Sequence, residues 1–276
     1  MERAANECAQ DDFDIKNIFE SLNNIIISRK SDEAVYRLMG NSDEPKGWSR
    51  FIFDQAGIKD GERILDAGCG YGNLWRYNSD RYPYKTRVTL VDFHNTYADD
   101  FYNDMKDSPM FEFRFGDFTK MEFKEKYDCI FFNHVVMYIT DRINTYTMFK
   151  SLLSKNGRFI ATWNGSRLVN EIASILCEFD INNKKKTSQK LDEDLATKIE
   201  QEDQLKSVFS SVKLKKYQLT LWFDSVQEIY DYIEKYAEMI GISLRNEEKE
   251  FMEFLDVKYR STGFFFERDT YLYICS

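Results

Sequence analysis

The stretch ILDAGCGYGN, Ile64 to Asn73, constrains this chain more than any other, because an apolar strand end runs into Asp66 and then into Gly68, Gly70 and Gly72. Arg63 to Leu65 read as the end of a buried strand. Three glycines at alternate positions then let the backbone turn tightly and approach a ligand without Cβ interference. A helix is expected to follow from Asn73. The spacing G-x-G-x-G departs from the dinucleotide fingerprint G-x-G-x-x-G, and Asp66 stands where that fingerprint carries an apolar or small residue. A carboxylate there repels a pyrophosphate. It favours a ligand with an ammonium or sulfonium end and no phosphate, with the glycine amides facing a carboxylate or a ribose.

Downstream, strand and helix signals alternate. Apolar runs at 63–66, 88–92, 111–115, 127–132 and 158–163 are separated by segments long enough for crossover helices, which is the pattern of a parallel sheet covered on both faces. The best helix is Asp141 to Leu153, with Ile143, Tyr146, Phe149, Leu152 and Leu153 on one face and Lys155-Asn156-Gly157 as its stop. Residues up to Gln55 read as polar helices broken around Gly40 to Gly47. After a helix from about Ser166 to Phe179, the polar stretch Asn182 to Lys190 reads as a mobile connection. Val212 to Phe223 alternates as a strand, Val226 to Ile240 and Arg245 to Tyr259 read as helices, and Phe264 to Cys275 as a hairpin-like strand region.

Composition narrows the function. The 276 residues, 43% hydrophobic, suit one large α/β domain with an appended lid. A net charge of −9, with 47 acidic against 38 basic residues and only the short Lys184 to Lys186 run, argues against a nucleic-acid partner. The five cysteines are odd in number and far apart, so neither a disulfide framework nor a metal site is implied. With no signal peptide and no apolar run long enough for a bilayer, a soluble cytoplasmic protein is expected.

Two further acidic signals end the next two strands. Asp92 closes Val88 to Val91 about twenty residues beyond the glycine turn, the spacing at which a carboxylate binds ribose hydroxyls. Gly116-Asp117-Phe118 reads either as an ordinary turn or as an acceptor for an adenine amine with an aromatic beside it. Together these strings resemble the class I S-adenosylmethionine-dependent methyltransferases. ILDAGCGYGN is similar to that family's glycine motif, LVDF at Leu90 to Phe93 to its ribose-acid motif, FGDF at Phe115 to Phe118 to its adenine motif, and YDCIFFNHVVMYI at Tyr127 to Ile139 to its fourth-strand motif. The resemblance implies a Rossmann-like, seven-stranded, mostly parallel sheet with helices on both faces. GWSRFIFDQ at Gly47 to Gln55 and GFFFERDTYLYI at Gly263 to Ile274 resemble a bacterial small-molecule branch related to the ubiquinone and menaquinone methyltransferases.

The resemblance divides the chain into an N-terminal helical lid (1–55), a cofactor-binding core (56–165) and a C-terminal completion of the sheet (166–276) with a lid insertion at about 225–260. It implies that Gly68 and Gly70 approach the methionine portion of S-adenosylmethionine and that Asp66 orders its amine. Cys69 and Tyr71 fill the turn, Asp92 binds the ribose, Asp117 and Phe118 hold the adenine with Phe93 on its other face, and Asn133 offers its backbone carbonyl to the amine. Methyl transfer asks mainly for alignment and exclusion of water. If a base is used, His134 is the candidate, its imidazole titrating near working pH; a hydrogen-bonded core or pocket histidine is the equal alternative. His94 is expected at the surface or the adenine edge. Trp163 and Asn164, beyond the fifth strand, are candidate acceptor contacts, with Tyr138, Tyr36 and Trp48 beside them. The acceptor is expected to be a small metabolite methylated on O, N or C. Two other classes stand against this reading: a silent S-adenosylmethionine-binding scaffold, and a nicotinamide oxidoreductase, which Asp66 and the glycine spacing disfavour.

Overall fold

In the computed structural model, which describes residues 46–93, 108–165, 167–179, 201–239 and 242–276, seven strands form one sheet in the order β3-β2-β1-β4-β5-β7-β6. The first five are β1 (Arg63–Ala67), β2 (Arg87–Asp92), β3 (Phe111–Phe115), β4 (Tyr127–Asn133) and β5 (Leu153–Asn164), all parallel where they pair. β6 (Val212–Phe223) and β7 (Phe264–Cys275) close the sheet. β7 inserts between β5 and β6 and runs antiparallel to both, so the expected hairpin-like end is a single strand.

The central strands carry unbroken apolar runs because both faces are covered. In β4, Cys129, Ile130, Phe131 and Phe132 are all fully buried. On one face lie α3 (Arg142–Leu152) and a helical segment at 201–208, with Phe132, Phe149, Phe159 and Phe209 in its core. On the other lie α1 (Lys46–Ala56) and the short α2 (Asn73–Arg76), packing Ile52, Phe53 and Trp75 on Ile64, Leu90, Phe131 and Leu272. A third core joins α4 (Arg167–Phe179) to α6 (Val226–Met239) and α7 (Glu248–Tyr259) through Ile172, Ile229, Ile233, Phe251 and Phe266. Here α5 denotes the segment at 201–208.

Helix α3 starts where expected, with Asp141 accepting from the Asn144 amide at 3.2 Å. Its end differs. The chain passes directly from Leu152 into β5, and Lys155-Asn156-Gly157 lie inside that strand, where the register with β4 shifts between Tyr127 and Cys129. Gly157 serves the close approach at that shift, since a Cβ would stand 2.8 Å from the Tyr127 carbonyl oxygen. Residues 1–45 of the expected lid, Tyr36, His94 and the stretch 182–190 lie outside the described residues.

The described part of the N-terminal region, α1, is not only a cover. Its C-terminal half is buried in the core, and its last carbonyl, at Ala56, accepts from Arg158, which also grips Glu62 in a two-pronged bond of 3.0 and 2.7 Å. That anchor fixes the opposite end of the helix, and with it Trp48, over the carboxyl edge of the sheet.

Candidate functional site

The glycine turn leaves β1 as expected. Gly68, Gly70 and Gly72 have φ of 80°, 51° and 68°, conformations that side-chain-bearing residues resist. Gly68 is further required by crowding: a Cβ would lie 2.3 Å from Val135 Cγ2. The amides of the turn are largely committed within the protein. Gly68 and Cys69 donate to the Val91 carbonyl at 2.8 and 3.1 Å, Gly70 donates to Asp92 Oδ2 at 2.8 Å, and Gly72 donates to the Cys69 carbonyl at 2.9 Å. The turn therefore offers close approach rather than the free amides expected for a carboxylate. Asp92 clamps it through that bond to the Gly70 amide.

Asp66 is buried at the root of the turn. Its Oδ2 accepts from Trp75 Nε1 at 2.8 Å, and its Oδ1 is buried with no hydrogen-bond partner among the described residues. Burial pushes its pKa up to about 7, with the Trp75 hydrogen bond opposing and the charge of Asp92 adding. A cation placed against Oδ1 would reverse that shift. Burial, reinforced by both carboxylates, also drives the Cys69 thiol well above its ordinary range, so Cys69 fills space and is no nucleophile.

The third strand end lies alongside, because the Gly116 amide donates to the Asp92 carbonyl at 2.9 Å. Asp117 caps the turn that follows: Oδ1 accepts from the Thr119 amide at 3.0 Å and Oδ2 pairs with Lys120 at 2.9 Å. Burial opposes these bonds, yet they hold its carboxyl below the ordinary range. Phe118, expected against an adenine, instead points into the core, 8% exposed, with its ring 5.6 Å from Phe149 and 5.9 Å from Phe132. Phe93, 68% exposed, faces outward at this edge, as does Phe115 at 46%.

Beyond β4, Asn133 is half-buried and its Oδ1 accepts from Thr162 Oγ1 at 3.4 Å. His134 adopts φ of 57°, held there by its amide, which donates to the Thr162 carbonyl at 3.0 Å and hydroxyl at 3.2 Å. Such a conformation in a non-glycine residue is strained and aims the imidazole away from the strand direction. Burial, with the charge of Arg268 adding, lowers its pKa to about 3. The imidazole is thus neutral throughout the working range and does not titrate near pH 7 as the sequence suggested.

The aromatic candidates divide. Trp48 lies 6.0 Å from the His134 ring and 5.3 Å from Tyr217. Tyr138 is 49% exposed, its hydroxyl pushed up by burial and then by the charge of Asp92, which puts it on the Asp92 side of the edge. Trp163 is 3% exposed and stacks on Tyr273 at 4.2 Å, in the core under α3 and α5 rather than in an acceptor pocket. Asn164, exposed at the end of β5, accepts from Arg268 Nη2. Sequence reasoning did not single out Trp75, Tyr217 or Arg268. Trp75 was detectable as a large aromatic in the helix that follows the turn, whereas nothing local marks Tyr217 or Arg268.

The structure therefore brings Asp66, the turn and Asp92 together at one end, and Trp48, His134, Tyr217, Asn164 and Arg268 at the other. Among the described residues no His, Cys, Asp and Glu group is arranged to hold a metal, and no helix is long and apolar enough to cross a membrane. Residues 58–238 match the family model described as a methyltransferase domain. A malonyl-[acyl-carrier protein] O-methyltransferase from Ilyobacter polytropus is 28% identical over 124 residues, covering 45% of this chain; the chain spans about half, 46%, of that relative. Among solved structures, a putative methyltransferase from Bacillus halodurans aligns over 82% of this chain and 96% of its own, at 14% identity and a TM-score of 0.51. The YcgJ protein from Bacillus subtilis aligns over 83% and 97%, at 15% identity and a TM-score of 0.50. Both likenesses concern the fold.

Proposed function

The chain belongs to the methyltransferase-domain family; from that premise we propose that it is a class I S-adenosylmethionine-dependent methyltransferase that methylates an O, N or C atom of a small organic metabolite. The observation that carries the reading is Asp66, a buried carboxylate with one oxygen satisfied and the other without a partner among the described residues, beside a turn whose Gly68 leaves no room for a Cβ. That is the complement of the ammonium end of the cofactor. S-adenosylmethionine supplies an electrophilic sulfonium methyl group, and the protein's own residues bind and align the partners around it.

In this reading Asp66 draws the amine, Asn133 adds its backbone carbonyl, Gly68, Cys69 and Gly70 admit the methionine portion, and Asp92 takes the ribose hydroxyls. Phe93 covers the adenine, and Asp117 contributes through the turn it caps rather than through a free carboxylate. Trp48, Tyr138 and Asn164 border the acceptor, with α1, α6 and α7 as the roof. Rate then comes mainly from alignment and dry packing. His134 is the candidate base. An imidazole whose conjugate acid is as strong as a pKa of about 3 removes a proton weakly, so its part is to accept a hydrogen bond from the acceptor and take the proton as transfer completes. The net charge of −9 supports a small acceptor over a nucleic acid.

Calorimetric titration with S-adenosylhomocysteine, followed by turnover of S-adenosylmethionine against a panel of small acids, phenols and amines, tests the proposal. Binding of S-adenosylhomocysteine that Asp92→Ala weakens about a hundredfold, together with methyl transfer to one class, is expected. Preferential binding of NADH would overturn it.

A further inference from the structure

On β7, Arg268 alternates to the same face as Thr270 and Leu272, the face covered by α1, and Tyr217 stands opposite Thr270 in β6. Arg268 Nη2 donates to Asn164 Oδ1, while Arg268 Nε is buried and has no hydrogen-bond partner among the described residues. Among the described residues no carboxylate pairs with it. The neighbouring cations Arg167 and Lys216 lean instead on Glu267 and Asp269, which alternate to the other face. Arginine keeps its charge at every working pH, and a guanidinium withdrawn from water without a counter-charge is costly to the fold. A position that retains one at the carboxyl edge of the sheet calls for an anion there.

The surroundings define that anion. His134 is neutral and Asn164 is an amide, so one positive charge is available and one negative charge balances it. The fork of a guanidinium matches the two oxygens of a planar monoanion. Next to His134 stands Trp48, itself against Tyr217 and Phe51 at 5.3 and 5.8 Å, an aromatic wall suited to a flat apolar body. We propose that Arg268 anchors a carboxylate of the methyl acceptor, so that the acceptor is a small organic acid whose apolar part lies against Trp48 and Tyr217. The assignment rests on the methyltransferase reading and adds the substrate class to it.

The test uses the full chain saturated with S-adenosylhomocysteine, titrated calorimetrically with benzoate, phenylacetate and indole-3-carboxylate and with the primary amide of each. At least one acid is expected to bind about tenfold or more tighter than its amide. Arg268→Gln erases that preference, Arg268→Lys recovers part of it, and both leave S-adenosylhomocysteine affinity unchanged. The Lys variant keeps the cation and guards against misfolding of the Gln variant. Equal binding of acids and amides, no binding of any acid at millimolar concentration, or a preference that survives Arg268→Gln overturns the proposal. A parallel loss of S-adenosylhomocysteine affinity in Arg268→Gln overturns it too, because the guanidinium would then serve the cofactor's own carboxylate. Failure of the methyltransferase reading shows separately, as no binding of S-adenosylhomocysteine by the unaltered protein.

Discussion

The two ends of the site are built differently. The cofactor end is local: Asp66, the glycine turn and Trp75 lie within ten residues of each other, and Asp92 joins them through one bond to the Gly70 amide. The end proposed for the acceptor draws on α1, the turn after β4, and the edges of β5, β6 and β7, so that Trp48 meets Tyr217 across 169 positions of chain. A local site depends on backbone conformation and fails when that conformation is denied. An assembled site depends on how elements pack and degrades piece by piece.

That contrast is testable, and the largest effect should come from the turn. Gly68→Val puts a branched side chain at φ of 80° against Val135, and is expected to cost about 3 kcal/mol or more of stability and to abolish S-adenosylhomocysteine binding, read by thermal unfolding and calorimetry. Gly68→Ala combined with Val135→Ala removes the crowding but keeps the strained backbone, leaving a deficit of about 1–2 kcal/mol. Full recovery in the double variant would mean that crowding alone, and not the turn's conformation, demands glycine.

Asp92→Ala is expected next, weakening S-adenosylhomocysteine about a hundredfold, since it removes both the Gly70 partner and the proposed ribose acceptor. An effect below threefold in calorimetry would detach Asp92 from the ribose. The pH dependence comes third. Asp66 in the ligand-free fold has its pKa raised from the ordinary 3.8 to about 7, so the fold binds a proton that the unfolded chain has lost. Its contribution to stability therefore falls as pH rises from about 4 to about 7 and is constant above that. An ammonium-bearing ligand needs the ionised form, so its affinity rises with pH by up to about tenfold per unit below 7 and then levels off. Asp66→Asn should flatten that profile; a wild-type profile already flat between pH 5.5 and 8 would exclude Asp66 as the amine partner.

The smallest expected effect belongs to the assembled end. Because His134 is neutral down to a pKa of about 3, the rate of methyl transfer should show no inflection from it between pH 5 and 8, and His134→Gln should lower kcat by about tenfold rather than the 10²–10⁴ of a full general base. An inflection near 6.5 that disappears in the variant would show that an acceptor restores ordinary basicity to the imidazole.

The same contrast explains which features were legible beforehand. Gly68, Gly70, Asp66 and Asp92 were readable because a positive φ and a strand-end carboxylate are requirements a short string must satisfy on its own. The strands at 111–115 and 212–223 were readable for a similar reason, as apolar runs and alternation are local signals. The helix stop at Lys155-Asn156-Gly157 misled because its glycine answers to the Tyr127 carbonyl, 30 residues earlier, and not to the helix before it. Phe118 and Trp163 misled in the same way. Their strand-end positions suggested ligand contact, but a bulky ring at such a position goes wherever neighbouring elements leave apolar volume, here to Phe149 and Tyr273.

The string from Ile64 to Asn73, with Asp92 after it, was sufficient to indicate a tight turn at a strand end and a cationic, phosphate-free ligand, because backbone geometry and a fixed carboxylate are written in consecutive residues; the seven-stranded sheet followed only from the resemblance of several motifs spread along the chain. Which aromatics gather around His134, the burial that keeps its imidazole neutral, and the lack of a carboxylate partner for Arg268 among the described residues came from folding. Burial and the field of a distant charge depend on packing between elements, and no window along the chain carries them.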